Sequence, residues 1–405
     1  LKIAIVVQGR FHAFDLAQAL LSRGHNVTIF TNYPKWAVER FGFPADRVRS
    51  FWMHAILTRA ASKLEQNNIA RFTEERFHRM FGRWAAGELI KEHWDVVHPW
   101  SSVSEETLQV LNDKPTLKIL MRGSSHILTQ ARLLQEEEIR TGEIQEHPSQ
   151  WIIEREQREY QMADAILTLS TFAQNTFIDE GVNPEKLCLL PLGANLHAFR
   201  PSSEVIHARC QNILSGEPLR VLYVGALSFR KGISDLLEVI KLYKDRSQGR
   251  RLAFKIIGPS SPEVANLLSE IRQYAELLPK MPQEELPGAY AQGDLFIFPT
   301  IEDGYAVVLA QAQACALPIL TTTNCAGPDL IRNEESGWIL PIRSPQSFVD
   351  RLLWCDTHRE ELAAMVRRIY DHFQPRDWDN VAADFESICL ERIKGRAEKV
   401  VLNGK

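Results

Sequence analysis

Two short stretches combine residue types that can do chemistry at spacings that bring them together. The first is VGALSFRKG, residues 224–232, where the adjacent cations Arg230 and Lys231 precede Gly232 and a segment of helical period over residues 233–242. Two cations beside the free amides of a helix start form a site for a phosphate or diphosphate. The same pair also reads as a solvated basic corner of a loop. The second is TIEDGYAVVLAQAQACALP, residues 300–318, directly after the apolar run LFIFP. Glu302 and Asp303 stand just before Gly304, and residues 306–316 are helical by composition until Pro318 ends the run. A carboxylate accepts hydrogen bonds from sugar hydroxyls, and bare amides at a positive helix end favour an adjacent phosphate, so a neutral, hydroxyl-rich ligand with a phosphate beside it suits the mixture. Gln311, two helical turns further on, can reach a second hydroxylated group. Asp303 alone also fits a helix N-cap.

Such loops need strands and helices behind them. Short β-branched runs alternate with helix-period segments along the whole chain, which argues for an α/β protein with parallel sheets covered on both faces. Strands are expected over residues 3–7, 27–31, 95–98, 117–121, 165–169 and 187–190, with helices such as 14–22 and 151–162 between them. The same grammar restarts with strands over residues 219–224, 252–257, 295–298, 318–322 and 338–340. The stretch PSSEVIHARCQNILSGEP between the halves reads as a connection, given its Ser, Gly and Pro content. The division is therefore a first domain over residues 1–200, a second over 201–375 and a terminal segment, 376–405, whose helix (378–394) can pack back on the first domain. Two doubly wound domains leave a cleft where the carboxyl ends of both sheets face each other.

Composition narrows the classes. The 405 residues are 45% hydrophobic and 24% charged, ordinary for globular cores. A net charge of -4 gives no global reason to bind nucleic acid or an anionic bilayer, and no nucleic-acid partner is expected. No stretch has the length and apolarity of a membrane span, and the six dispersed cysteines form no C-x-x-C pair, so a reduced, cytoplasmic setting is inferred. No His or Cys cluster has metal-ligand spacing, and neither a metal nor a cofactor is expected.

VGALSFRKG, LPGAYAQGDLFIFPTIEDGYAVVLAQAQACALPILTTTNCAG and SGWILP, in this order, resemble the donor half of the family 4 retaining glycosyltransferases of the GT-B fold. SRGHNVTIFT, ADAILTLS and PLGANLHAFRP in the first half agree. The resemblance implies two Rossmann-like domains and a nucleotide diphosphate sugar as donor. With ACALP fixing the register, the family's two glutamates fall on Asp303 and Gln311, the first toward the donor sugar and the second toward the ribose. Glu302 is an alternative acid, one residue out of step. Lys231 and Gly232 match the family's pattern, whereas Ala226 stands where an arginine is usual, and Arg230 is taken as its replacement. The resemblance further implies backbone contacts to sugar and phosphate from Gly304, Tyr305 and Ala306, to the nucleobase around Met281, and to the diphosphate at Gly9. Gly9 is alone in its loop, which removes the G-x-G-x-x-G of a dehydrogenase, and it also fits a simple tight turn. His126, in RGSSH, resembles the first-domain histidine near the transferred sugar. It also reads as a packing residue, and His12 competes with it.

The function implied is metal-independent, retaining transfer of a hexosyl group, UDP-glucose being the best guess for donor, to a carbohydrate or lipid-linked acceptor in polysaccharide or glycolipid assembly. Arg230, Lys231 and nearby amides would carry the charge of the departing phosphate. A GT-B epimerase or phosphorylase and a non-catalytic nucleotide-sugar-binding protein are the rival readings. Residues 71–91 interleave Phe72, Phe77, Phe81 and Trp84 with Arg71, Arg76, Arg79 and Arg83. This stretch reads first as an amphipathic helix against its own core and second as a peripheral contact with the inner face of a membrane.

Overall fold

Strands that are apolar at every position cannot leave a face in water. The opening strand, β1 (Lys2–Val7), is buried from its second residue onward, and such strands need helices on both faces. In the computed structural model, which describes residues 1–65, 71–249 and 252–403, β1 lies inside a seven-stranded sheet. Its other members are β2 (Asn26–Thr31), β3 (Val48–Ser50), β4 (Val96–Pro99), β5 (Leu117–Met121), β6 (Ala165–Thr168) and β7 (Leu187–Leu189). A second sheet of six holds β8 (Leu219–Val224), β9 (Leu252–Ile257), β10 (Ala275–Leu278), β11 (Leu295–Phe298), β12 (Ile319–Thr322) and β13 (Gly337–Leu340). The orders are β3-β2-β1-β4-β5-β6-β7 and β10-β9-β8-β11-β12-β13, and the paired strands run parallel. In each sheet the winding reverses beside its first strand, between β1 and β4 and between β8 and β11. Crossovers diverge to opposite faces there, which opens a crevice at the carboxyl ends. This is the doubly wound α/β architecture expected from the sequence.

Two further strands, VRS and AELL, lie at the sheet edges; VRS is three residues long with two of them polar, and AELL is a partly exposed run broken by Glu276. The supposed connection is a correction of a different kind. Residues Ser203–Leu214 form a helix whose Ile206, Cys210 and Ile213 join the second core. Its Arg209 is buried and donates to the carbonyl oxygens of Cys315, Ala316, Tyr290 and Ala291. These carbonyls end the helices Val307–Ala314 and Leu286–Ala291, where the last turns lack backbone donors and carry negative partial charge.

The terminal helix Trp378–Asn403 crosses back to the first domain. Val381, Ala382, Phe385 and Cys389 pack into the same core as Ile3, Val27 and Leu117, and Arg23 pairs with Glu386 at 2.6 Å. Helix Arg71–Leu89 turns Phe81, Ala85 and Leu89 inward against Phe30 and Trp94, with Trp84 packed on the same cluster. Phe77 meets His54 edge-on, 5.8 Å between centroids. These aromatic side chains therefore pack on the core of the first domain, as the first of the two readings expects; Arg71 and Phe72 lie outside the residues whose side chains are described. Among the described residues, no helix is long and apolar enough to cross a membrane.

Candidate functional site

Both switch points open into one cavity of about 660 Å³ between the sheets. From the first sheet it is lined by Gln8 after β1, Trp100 to Val103 after β4, and Arg122 to Ser124 after β5; from the second, by Gly225 and Ala226 after β8 and Phe298 of β11. Arg230, Lys231 and Asp303 line it too, so the cations and the acid singled out from sequence face one crevice.

The loop after β8 is shaped to deliver the cations. Phe229 is buried and anchors a single 3-10 turn, and Gly232 follows at φ +73°. A Cβ at Gly232 would collide with the Pro299 carbonyl, so only glycine brings this turn against the loop after β11. The carbonyl of Arg230 then accepts from Ile301 N at 3.0 Å. Lys231 Nζ donates to Asp303 Oδ2 at 2.6 Å and to the Glu302 carbonyl at 3.1 Å. Burial lowers the Lys231 pKa, and Asp303 works against that shift. Arg230 Nη1 donates to Glu302 Oε2 at 3.0 Å, and its side chain keeps 37% exposure.

Glu302 and Asp303, in the loop after β11, have different surroundings. Glu302 is fully buried and faces the first domain, accepting from Ser125 N and Ser125 Oγ, both at 2.9 Å. Burial pushes its pKa up, but Arg230, Lys231 and the Ser125 bonds prevail and hold it at about 2. Glu302 is thus a link between domains, and Asp303 is the acid of the cavity. Asp303 Oδ1 also accepts from Tyr305 N at 3.0 Å and Ala306 N at 2.8 Å. These amides, expected to meet a ligand, are spent on Asp303. Ala306, at φ +67°, turns the chain sharply into helix Val307–Ala314. Tyr305 and Ala306 line the cavity, as do Val307 and Val308 in the first turn of that helix, whose amides have no intrahelical acceptor by position. Gly304 packs against Gly123, where any Cβ would strike the carbonyl, and Tyr305 donates its hydroxyl to the Leu192 carbonyl at 3.0 Å.

Other expected residues lie elsewhere. His126 is buried and caps helix Ile127–Thr141, accepting from Leu128 N. Its ring lies 5.0 Å from Tyr160 and 4.9 Å from Phe177, away from the cavity. Burial, then Arg122, lowers its pKa to about 4. His12 does line the cavity, between Trp100 and Trp378, and burial lowers it to about 3, so the ring is neutral and its Nε2 has no protein partner. Gln311 is buried away from the cavity lining and accepts from Tyr290 Oη at 3.1 Å. Met281 packs half-buried on the second core. Gly9 has φ +106°, and its amide is committed to Asn32 Oδ1 at 2.9 Å, leaving its neighbours Gln8, Phe11 and His12 on the cavity.

Arg122 escaped the sequence reading. It follows β5 directly and is anchored by Glu156 (3.0 Å), Gln130 (2.7 Å) and the Ser125 carbonyl (3.1 Å). The available signal was a cation in the first position after a buried strand. Together the site holds Arg122, Arg230 and Lys231 near Glu156, Glu302 and Asp303, a balance that an incoming diphosphate would enter as extra negative charge.

Residues 10–198 match the sequence family described as Glycosyltransferase Family 4, and residues 218–356 match Glycosyl transferases group 1. The chain is 23% identical over 221 residues to the putative colanic acid biosynthesis glycosyltransferase WcaL of Escherichia coli (strain K12), covering 52% of each chain. It is 30% identical over 176 residues to the D-inositol 3-phosphate glycosyltransferase of Corynebacterium jeikeium, covering 40% of this chain and 42% of that one. The matched region spans about half the length of these relatives or less. In three dimensions it is similar to Anabaena HepE in complex with UDP, at TM-score 0.67 and 14% identity over 96% of this chain and 100% of that one. It is also similar to the sucrose-phosphate synthase of Thermosynechococcus elongatus, at TM-score 0.65 and 16% identity over 100% and 99%. With the two family matches falling on the two domains that flank the cavity, and this fold in the solved neighbours, the chain belongs to the family 4 glycosyltransferases of the GT-B fold.

Proposed function

We propose that this protein transfers a hexosyl group from a nucleotide diphosphate sugar, with UDP-glucose the first candidate, to an acceptor hydroxyl in polysaccharide or glycolipid assembly, retaining the anomeric configuration and using no metal ion. The observation that carries this reading is the single wall on which Arg230, Lys231, Asp303 and the mouth of helix Val307–Ala314 meet. Supporting it, HepE was solved with UDP and with UDP-glucose, and the relatives from Escherichia coli and Erwinia amylovora are named for colanic acid and amylovoran biosynthesis.

The chemistry follows from what each group has left to offer. A carboxylate has about four acceptor positions. Asp303 spends its known bonds on Lys231, Tyr305 N and Ala306 N, which leaves room for one sugar hydroxyl. Arg230 keeps N–H donors beyond its bond to Glu302, and with Lys231 and the Val307 and Val308 amides it would stabilise charge growing on the β-phosphate as the glycosidic bond breaks. His12 is too weak a base at neutral pH, because an imidazole with a pKa near 3 scarcely holds a proton there. The departing phosphate is then the natural acceptor for the proton of the attacking hydroxyl, on the face it has just left, which is a retaining course.

Lys231→Ala tests this proposal. Losing a donor aimed at developing charge costs about 10²–10³-fold in turnover, with UDP-glucose consumption followed by UDP release. Turnover within a factor of about two of wild type would exclude Lys231 from the reaction. Looking for an epimerised donor, or for sugar phosphate when inorganic phosphate is supplied, separates the transferase from the rival enzymes. Thermal shifts with UDP, GDP and ADP sugars identify the base, since bound ligand stabilises the fold by mass action.

A further inference from the structure

The loop after β1 holds an aromatic ring at the cavity that no core uses. Phe11 lines the cavity yet is 67% exposed, whereas Phe14, three residues on, is 1% exposed. Phe11 makes none of the ring–ring contacts found among the described residues, although Phe14, His12 and Trp100 all do. The backbone is strained to keep it there. Phe11 sits at φ +42°, a region that disfavours a bulky side chain. Gly9, at φ +106°, is pinned through its amide to Asn32 and through its carbonyl to Thr31 Oγ1. The ring leans over Gly9, and a Cβ at that position would come to 3.3 Å from Phe11 Cε2.

Strain spent on exposing an apolar ring in a wet cleft marks a binding surface. The chemistry of what binds follows from the wall. Arg230, Lys231 and Asp303 are on the second domain and Arg122 follows β5 in the first, while Phe11, after β1, shares its part of the wall with the neutral groups His12, Trp100 and Ser101. A flat aromatic face in a cavity that also offers hydroxyl and imidazole groups suits a pyranose, whose C–H face is apolar and whose hydroxyls lie at its edge. We propose that Phe11 is the stacking platform for the acceptor sugar, so that the acceptor is a pyranoside that presents its C–H face, and not a bare lipid alcohol or a protein side chain. The assignment rests on the glycosyl-transfer reading of the cavity.

The test uses saturation-transfer NMR on the whole chain saturated with UDP, with the methyl pyranosides of glucose, galactose and mannose as probes, and calorimetry of UDP binding alongside. Phe11→Gly removes the ring and suits the positive φ, and Phe11→Asn, also tolerant of this region, provides a second variant should one fold poorly. Transfer to the C–H protons of at least one pyranoside is expected in wild type and in Phe11→Trp, falling about threefold to tenfold in Phe11→Gly and Phe11→Asn, with UDP affinity unchanged. Undiminished transfer in both ring-less variants overturns the assignment, as does the absence of transfer to every probe in wild type. An equal loss of UDP affinity in both variants would move the ring to the donor side and overturn it too. If wild type binds UDP but the pyranoside signals ignore Phe11, this inference fails alone; if wild type binds no UDP, the donor reading fails first.

Discussion

Glu302 lies beside the cavity acid and does a different job, and Glu302→Gln isolates it. The substitution keeps the shape and removes the charge. Oε1 would still accept from Ser125 N and Ser125 Oγ, but the new amide would point its own hydrogens at Arg230 Nη1 and Gln130 Nε2, both donors, now 3.0 and 3.2 Å from Oε2. Burial alone would favour the neutral acid, yet the group is held at about 2 against an ordinary 4.5, and that gap corresponds to roughly 3 kcal/mol in favour of the charged form. Because the folded pKa is the lower one, this stabilisation is fully present above about pH 4.5 and lost as the pH falls from there through 2, with roughly half remaining at pH 3. In domains of this size 3 kcal/mol is about 6–12 °C in Tm. Scanning calorimetry at neutral pH should therefore place Glu302→Gln that far below wild type, and the gap should narrow by about half at pH 3. Other carboxylates titrate in both proteins and cancel in the difference. A gap below about 2 °C at neutral pH, or one that does not change down to pH 3, would refute the reasoning.

Two further substitutions probe what brings the walls together. Gly304→Ala places a methyl group against the Gly123 carbonyl and the Ser124 backbone, so the domains must separate slightly while each stays folded; turnover should fall about a hundredfold with little change in Tm, and unchanged turnover would show that this contact does not set the cleft. Arg209→Met strips the donors from the carbonyls of Cys315, Ala316, Tyr290 and Ala291, and unsatisfied buried carbonyls cost about 1–3 kcal/mol each; a loss of at least about 3 kcal/mol is expected in urea unfolding, and less than about 1 would mean that water replaces the guanidinium.

What the sequence made legible follows from how close a residue sits to the end of a strand. Arg230, Lys231 and Asp303 could be placed together because each lies a few residues beyond a strand of one parallel sheet, and all such loops emerge on one rim. The same rule, applied more strictly, would have favoured Arg122 over His126. Arg122 directly follows β5 and has no freedom to leave the rim, whereas His126, four positions later, has already become the cap of the next helix. Gln311 shows where local rules stop. Its burial is set by Tyr290, which reaches it from another helix, 21 residues earlier in the chain. The helix Ser203–Leu214 was hidden for the same reason, since Arg209 reads as a solvent-facing charge until four distant carbonyl oxygens are known to converge on it. Phe11 inverts the case: no pattern in the sequence singles it out, and only the positive φ at Gly9 and Phe11 shows that the backbone holds this aromatic ring out of the core. Periodicity reports which residues a fold can bury, so it misses those that a partner distant in sequence buries and is silent on those that the backbone itself withholds from the core.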